Sequence, residues 1–208
     1  MTNDPGEIVR AGYDKVAAQY QALEHDSARW PRAEWIAELT ARLRPGAAIL
    51  DLGCATGVPV AADLARHYQV TGVDISSEHI QQARRNVPDG EFICSDALTV
   101  AFAAGRFDAV VSLYTFDHIP REEYRRLLDS IHRWLRTDGM LLLSVEDIDE
   151  PGTVAPWLGV DMYFSMFGAD AMRQLVREAG FDITKTALGT QTEGGTDISY
   201  TWILARKA

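Results

Sequence analysis

Residues 49–57 read Ile49-Leu50-Asp51-Leu52-Gly53-Cys54-Ala55-Thr56-Gly57, an apolar run broken by one acid and followed by a turn of small residues. A short apolar run that ends in glycine reads as a buried strand, and small residues after it let a ligand approach the backbone. A helix is expected to start near Val58 or Pro59. Of two phosphate-binding readings of the turn, the dinucleotide one is weakened and the P-loop one fails. Counted from Gly53, a Gly-x-Gly-x-x-Gly pattern meets Ala55 and Val58 at its second and third places, and no Gly-Lys-Ser/Thr follows Gly57. The turn suits a nucleoside with an amino-acid tail instead. Asp51 would accept from the tail's ammonium, and backbone N–H groups at the helix start would face its carboxylate.

Outward from this unit, the runs 48–50, 70–73, 92–94, 109–113 and 140–145 read as buried strands alternating with helices, the mark of a parallel α/β sheet. Before them come a helix around 8–19 and one carrying Ile36, Leu39 and Leu43, stopped by Arg44-Pro45-Gly46. The stripe Tyr124, Leu127, Leu128, Ile131 and Leu135 predicts a helix opening after Pro120 and ending before Asp138-Gly139. Met172, Leu175, Val176 and Ala179 form another, closed by Gly180. The segments 181–188 and 199–205, joined through Glu193-Gly194-Gly195 with no room for a helix, predict a final antiparallel pair. One domain over 1–208 is expected: a helical lid at 1–45, a core at 46–146, a covering segment at 147–168 and a C-terminal helix and strand pair at 169–208.

Two further acids end strands. Asp74 closes the second, 23 residues after Asp51, where a carboxylate accepts from two ribose hydroxyls. Asp96 follows the third, placed for an adenine's exocyclic amine. Ligands of open parallel sheets bind at these carboxyl ends.

With these residues the chain resembles the class I S-adenosylmethionine-dependent methyltransferases over nearly its whole length. The turn 51–57 is similar to the family's first motif, Asp74 to its ribose-binding acid and Asp96 to the residue beside the adenine. Phe107-Asp108-Ala109-Val110-Val111-Ser112 with Asp117-His118-Ile119-Pro120 resembles the fourth-strand motif, and Leu135-Arg136-Thr137-Asp138-Gly139-Met140 the turn before the fifth strand. The resemblance implies a Rossmann-like seven-stranded sheet with the last strand antiparallel, and S-adenosylmethionine as cofactor. Its neighbouring motif residues Cys54, Ile75, Ala97 and Leu113 join the cofactor set. Ala55 departs from the family's usual glycine, and the turn is then expected to keep φ negative there.

His118, just after the fourth strand, is the candidate base or acceptor-orienting group; Tyr114 and Glu146 are the other candidate bases, and Tyr114, nearer the strand end, is also expected to line the cofactor's methionine portion. Tyr13 and Tyr20 lie in a stretch similar to the lid helix of small-molecule methyltransferases, where a tyrosine touches the cofactor; seven residues apart is also core spacing. The segment 157–167 places six Trp, Met, Tyr or Phe residues in eleven positions. It is expected to cover the acceptor, the rival being a dimer interface or a plug on the sheet's flank. Glu146, Asp147, Asp149 and Glu150 read as a solvated loop whose first residue closes the strand and faces the pocket.

Twenty basic and thirty acidic side chains leave a net charge of −10, which argues against nucleic acid and anionic membranes as partners. No apolar run approaches the roughly 20 residues of a membrane span, and Met-Thr-Asn-Asp-Pro-Gly-Glu lacks a signal peptide's pattern. A cytoplasmic enzyme, monomer or homodimer, is expected. Cys54 and Cys94, 40 residues apart with no Cys or His partner in sequence, predict neither disulfide nor metal site. The reaction expected is in-line methyl transfer to a small, partly apolar acceptor. A nicotinamide-dependent oxidoreductase and a non-catalytic cofactor-binding regulatory protein are the rivals.

Overall fold

In a computed structural model of the protein, which describes residues 4–26, 31–193 and 196–208, the apolar runs become β1 (Ala48–Leu52), β2 (Gln69–Asp74), β3 (Glu91–Cys94), β4 (Phe107–Leu113) and β5 (Leu135–Glu146). A hairpin follows, β6 (Glu150–Trp157) and β7 (Val160–Met166), and then β8 (Phe181–Glu193) and β9 (Thr196–Lys207). The main sheet has seven strands in the order β3-β2-β1-β4-β5-β9-β8. β9 runs antiparallel to both its neighbours, and the pairs among β1 to β5 are parallel. Glycines 194 and 195 of the expected connection lie outside the described residues.

β1 pairs with β2 on one edge and β4 on the other. The order reverses there, which opens a crevice at the strands' carboxyl ends. Successive strand residues face opposite ways, so Leu50 and Leu52 pack with Val110 and Leu141 on one side while Ile49 packs with Ala109, Val111 and Leu142 on the other. The first side is covered by α5 (Tyr124–Trp134) and α6 (Ala169–Glu178), and Gly180 at φ +87 ends α6 as expected. The second is covered by α2 (Arg32–Thr40), α3 (Val60–Leu64) and α4 (Ser77–Asn86). In α2, Trp35 stacks on Trp202 of β9 with ring centroids 5.7 Å apart.

Several expected boundaries move. α3 starts at Val60 and spans only five residues. Leu135 lies in β5 opposite Phe107, not on α5. It is fully buried, so it satisfies the helical stripe and the sheet's core face equally. A bulge between Phe107 and Ala109 and positive φ at Asp138 absorb the change of direction.

α1 (Pro5–Asp26), longer than expected, crosses the carboxyl end of the sheet. Asp14 of α1 accepts from Ser76 Oγ at 2.7 Å, at the N-terminus of α4. At Gly12 the helix meets β7 so closely that a Cβ would stand 2.8 Å from Met162 Cε. The aromatic segment expected to cover the acceptor is thus a β-hairpin. Its two-residue turn, Leu158-Gly159, has positive φ at both positions, the geometry that matches the twist of paired strands.

Candidate active site

A cavity of about 310 Å³ opens at the carboxyl ends of β1 to β4. Gly53 and Ala55 form its floor, Asp74 and Ile75 come from the end of β2, Asp96 and Ala97 from beyond β3, and Leu113 from β4. Tyr13 and Tyr20 of α1 reach it from above. Asp51, Cys54 and Gly57 are absent from the wall, unlike the other nine residues expected to hold the cofactor.

Each of the three has a different local reason. Asp51 is buried within β1, in register with Gly72 and Val111. Cys54 packs into the core, and its Sγ would stand 2.8 Å from a Cβ on Gly72. Burial, with the Asp74 and Asp51 charges, pushes its thiol well up, so it stays protonated and is no nucleophile. Gly57 has φ +75, and a Cβ there would meet Val87 Cγ2 at 3.2 Å; its smallness serves the packing of the turn on α4.

Gly53 is the position where the floor admits no side chain. Its φ is +81, and a Cβ would lie 2.0 Å from Thr115 Oγ1, whose hydroxyl donates to Leu52 O at 2.9 Å. Ala55 corrects the expectation for φ: it is +45. Its N–H thereby points at Asp74, donating to Oδ2 at 2.9 Å, while Ser76 N–H and His79 Nδ1 approach Oδ1 at 2.9 and 3.3 Å. The charge-assisted bond repays the left-handed backbone. Asp74 therefore braces the turn it was expected to stand beside. Each carboxylate oxygen has about two acceptor sites, so capacity remains toward the cavity. Asp96 accepts from Leu98 N–H at 2.7 Å and also faces the cavity.

A second chamber of about 170 Å³ adjoins the first; Tyr13, Tyr20, Tyr114 and His118 line both. Its farther walls are Asp117 and Glu146, Trp157 and Phe164 of the hairpin, and Ile198 and Tyr200 of β9. All three residues expected to act on the acceptor thus border it. Tyr114 holds φ +58, costly for a bulky residue, and its hydroxyl donates to Gln191 Oε1 at 3.0 Å. Glu146 is anchored by its backbone N–H, which donates to Asp117 Oδ1 at 2.9 Å. The neighbouring acids are less free than a solvated loop: Asp147 Oδ1 accepts from Ala169 N–H at the start of α6, and Glu150 opens β6.

His118 lies between two partners. Its Nδ1 stands 2.9 Å from Tyr163 O, and its Nε2 2.8 Å from Tyr13 Oη. A carbonyl only accepts, so Nδ1 carries the proton and Nε2 receives the Tyr13 hydroxyl. Burial lowers the pKa of His118, opposed by the carbonyl bond and by Asp74, and the ring is neutral at pH 7. Tyr13 was expected at the cofactor; the fold also couples it to the candidate base across 105 positions. Sequence reasoning missed Thr115, Asp117, Gln191 and the Tyr163 carbonyl. Thr115, two residues past β4 at the floor's edge, and Asp117, inside the quoted fourth-strand motif, lay close enough to a motif to be suspected.

Residues 49–139 match the model of the methyltransferase domain family. Residues 49–139 are a methyltransferase domain of this family. The chain is 30% identical to an O-methyltransferase of Pyrenophora dematioidea, over 70% of this chain and 59% of the relative. It is 32% identical to the tRNA (carboxymethyluridine(34)-5-O)-methyltransferase alkbh8 of Xenopus tropicalis, over 69% of this chain and 22% of that protein. The chain thus spans less than two thirds of these curated relatives. A crystal structure of Burkholderia thailandensis 1,6-didemethyltoxoflavin-N1-methyltransferase, with 1,6-didemethyltoxoflavin and S-adenosylhomocysteine bound, shares the fold at a TM-score of 0.68 and 24% identity, covering 96% of this chain and 91% of that one. No helix among the described residues is long and apolar enough to cross a membrane.

Proposed function

We propose that the protein transfers a methyl group from S-adenosylmethionine to a small, partly apolar organic acceptor. The observation that carries this reading is the contact of the two cavities, 310 and 170 Å³, along the shared wall of Tyr13, Tyr20, Tyr114 and His118. The residues of the larger cavity fit the cofactor: Asp74 for the ribose hydroxyls, Asp96 for the adenine amine, and the side-chain-free face of Gly53 for close backbone approach. Ile75, Ala97 and Leu113 give the adenosine apolar surface, and Asp51, Cys54 and Gly57 support the turn from below. When bound, S-adenosylmethionine supplies a methyl on a positively charged sulfur, a carbon already activated for displacement.

The chain's own work is then alignment, drying and proton removal. α1 and the hairpin close over the strand ends, and their aromatic side chains exclude water. An acceptor that must lose a proton gives it toward Tyr13 as the Tyr13 hydroxyl proton moves to His118 Nε2. The Tyr163 carbonyl, holding Nδ1–H, stabilises the imidazolium that forms. Tyr114 and Glu146 orient the acceptor from the far wall. The size of the second chamber supports a small acceptor over a nucleic acid, and the −10 charge supports the same choice. Two free cysteines agree with a reducing, cytoplasmic setting.

Calorimetry with S-adenosylhomocysteine and NADH, followed by mass spectrometry of acceptor panels incubated with S-adenosylmethionine, tests the reading. Binding of S-adenosylhomocysteine and a product heavier by one methylene unit are expected. Binding of NADH in its place overturns it in favour of an oxidoreductase, and cofactor binding without product across the panel in favour of a regulatory protein.

A further inference from the structure

We propose that the second chamber selects a compact, positively charged amine whose nitrogen is the methyl acceptor, an inference that rests on the transferase reading. Three features of the chamber point the same way. Tyr20 and Trp157 lie with ring centroids 5.7 Å apart, and Tyr114 and Tyr200 4.9 Å apart, so aromatic faces and edges enclose the space from two sides. Asp117 and Glu146 add carboxylates to the same wall, and among the described residues no lysine or arginine lines it. The third feature is size. A cavity of about 150 Å³ holds benzene, so 170 Å³ suits a ligand of similar bulk. Aromatic rings with acidic neighbours attract an ammonium, through the ring quadrupole and through charge, and repel a carboxylate or phosphate. A neutral alcohol gains neither attraction.

The same arrangement supplies what an ammonium needs before it can react. Bound as a cation, it has no lone pair. One N–H proton passes to the Tyr13 oxygen while the Tyr13 proton passes to His118 Nε2, which burial keeps free to accept it. The nitrogen lone pair then forms the N–C bond as the S–C bond breaks and its electron pair returns to sulfur. The products are the N-methylated ammonium and the thioether, and the proton on His118 leaves to solvent.

Choline and its uncharged isostere 3,3-dimethylbutan-1-ol, which differ by the charge alone, form the test. Their affinities are measured by calorimetry on the full chain, with and without saturating S-adenosylhomocysteine. Choline is expected to bind about tenfold more tightly than the isostere. Glu146→Gln and Trp157→Leu should each reduce that preference at least threefold, with the affinity for S-adenosylhomocysteine, measured on the same samples, reporting that the fold is intact. Small primary amines should be methylated at nitrogen with S-adenosylmethionine. Equal or tighter binding of the isostere, or methylation of phenols and carboxylic acids in preference to amines, overturns the amine inference and leaves methyl transfer standing. A clear preference for choline in a protein that binds no S-adenosylhomocysteine leaves a cation-binding chamber and overturns methyl transfer, and with it the role of the amine as acceptor.

Discussion

The floor of the large cavity and the wall of the second chamber are assembled in different ways. Gly53, Ala55, Asp74, Ile75, Asp96 and Ala97 come from one stretch of chain, each at or just beyond the carboxyl end of a neighbouring parallel strand. The chamber takes Tyr13 from α1, His118 from after β4, Glu146 from β5, Trp157 from the hairpin and Tyr200 from β9. The floor is a consequence of sheet topology, which places every strand end at one crevice. The chamber exists only once the sheet is complete and α1 and the hairpin have docked on it. Binding of the cofactor should therefore respond to changes in the turn, and turnover to changes in contacts that span the chain.

The sharpest break of that division is at Gly53. Valine there would need φ near +81 and would press on Thr115, so Gly53→Val is expected to abolish S-adenosylhomocysteine binding in calorimetry while far-UV dichroism stays near native. Normal binding would show that the ligand does not lie against this turn.

Next in size is the cover. His118→Ala should lower kcat by about 10²- to 10⁴-fold while S-adenosylhomocysteine affinity changes by less than threefold, and Tyr13→Phe should show the same pattern less strongly. Equal losses in affinity and turnover would return both residues to the cofactor half. The pH profile adds a sign. Because burial lowers the pKa of His118, the neutral form that accepts a proton persists below the usual histidine range. The acid limb of kcat should lie below about pH 6.5 and disappear in His118→Ala. A limb above that value would contradict a buried neutral base.

The same contrast decides what could be read from the residues. The five parallel strands and the antiparallel pair follow from local runs, and Gly53, Ala55, Asp74 and Asp96 border the cavity because a turn and acids at strand ends have their geometry set within a few positions. The hairpin escaped because β6 carries Pro151, Gly152 and Pro156 with no apolar alternation, and its turn is Leu158-Gly159 in place of the asparagine or aspartate that marks such turns. The Tyr13–His118 pair escaped because neither residue's neighbours in sequence record which distant side chain it will meet. Even on the floor, one interaction between strands was hidden: the bond from Ala55 N–H to Asp74 that makes a left-handed alanine tolerable.

Asp74 measures how far the floor acts as a unit. Asp74→Ala should cost about 1.5–3 kcal/mol of S-adenosylhomocysteine affinity through lost charge-assisted hydrogen bonds. It should also lower stability in urea, since Ala55 N–H and Ser76 N–H lose their acceptor. Asp74→Asn, keeping one accepting oxygen, should recover more of the stability than of the affinity. Unchanged affinity in folded Asp74→Ala would remove the acid from the ribose site and leave it a brace.

The smallest effect expected is at Ala55, and its sign is informative. A non-glycine residue in the left-handed region costs about 1–2 kcal/mol, and glycine at φ +45 would relieve that strain. Glycine also gives the unfolded chain more freedom, an opposing cost of about 0.4–1 kcal/mol. The N–H that reaches Asp74 is kept in either case. Ala55→Gly should therefore raise stability by up to about 1.6 kcal/mol in urea unfolding, and S-adenosylhomocysteine affinity should stay within threefold, since only a methyl leaves the cavity wall. Had the turn kept negative φ at this position, the entropic cost alone would remain and the variant would be less stable. A fall in stability would thus show that the bond from Ala55 to Asp74 does not form as described, and with it the brace that joins the first two strand ends into one floor.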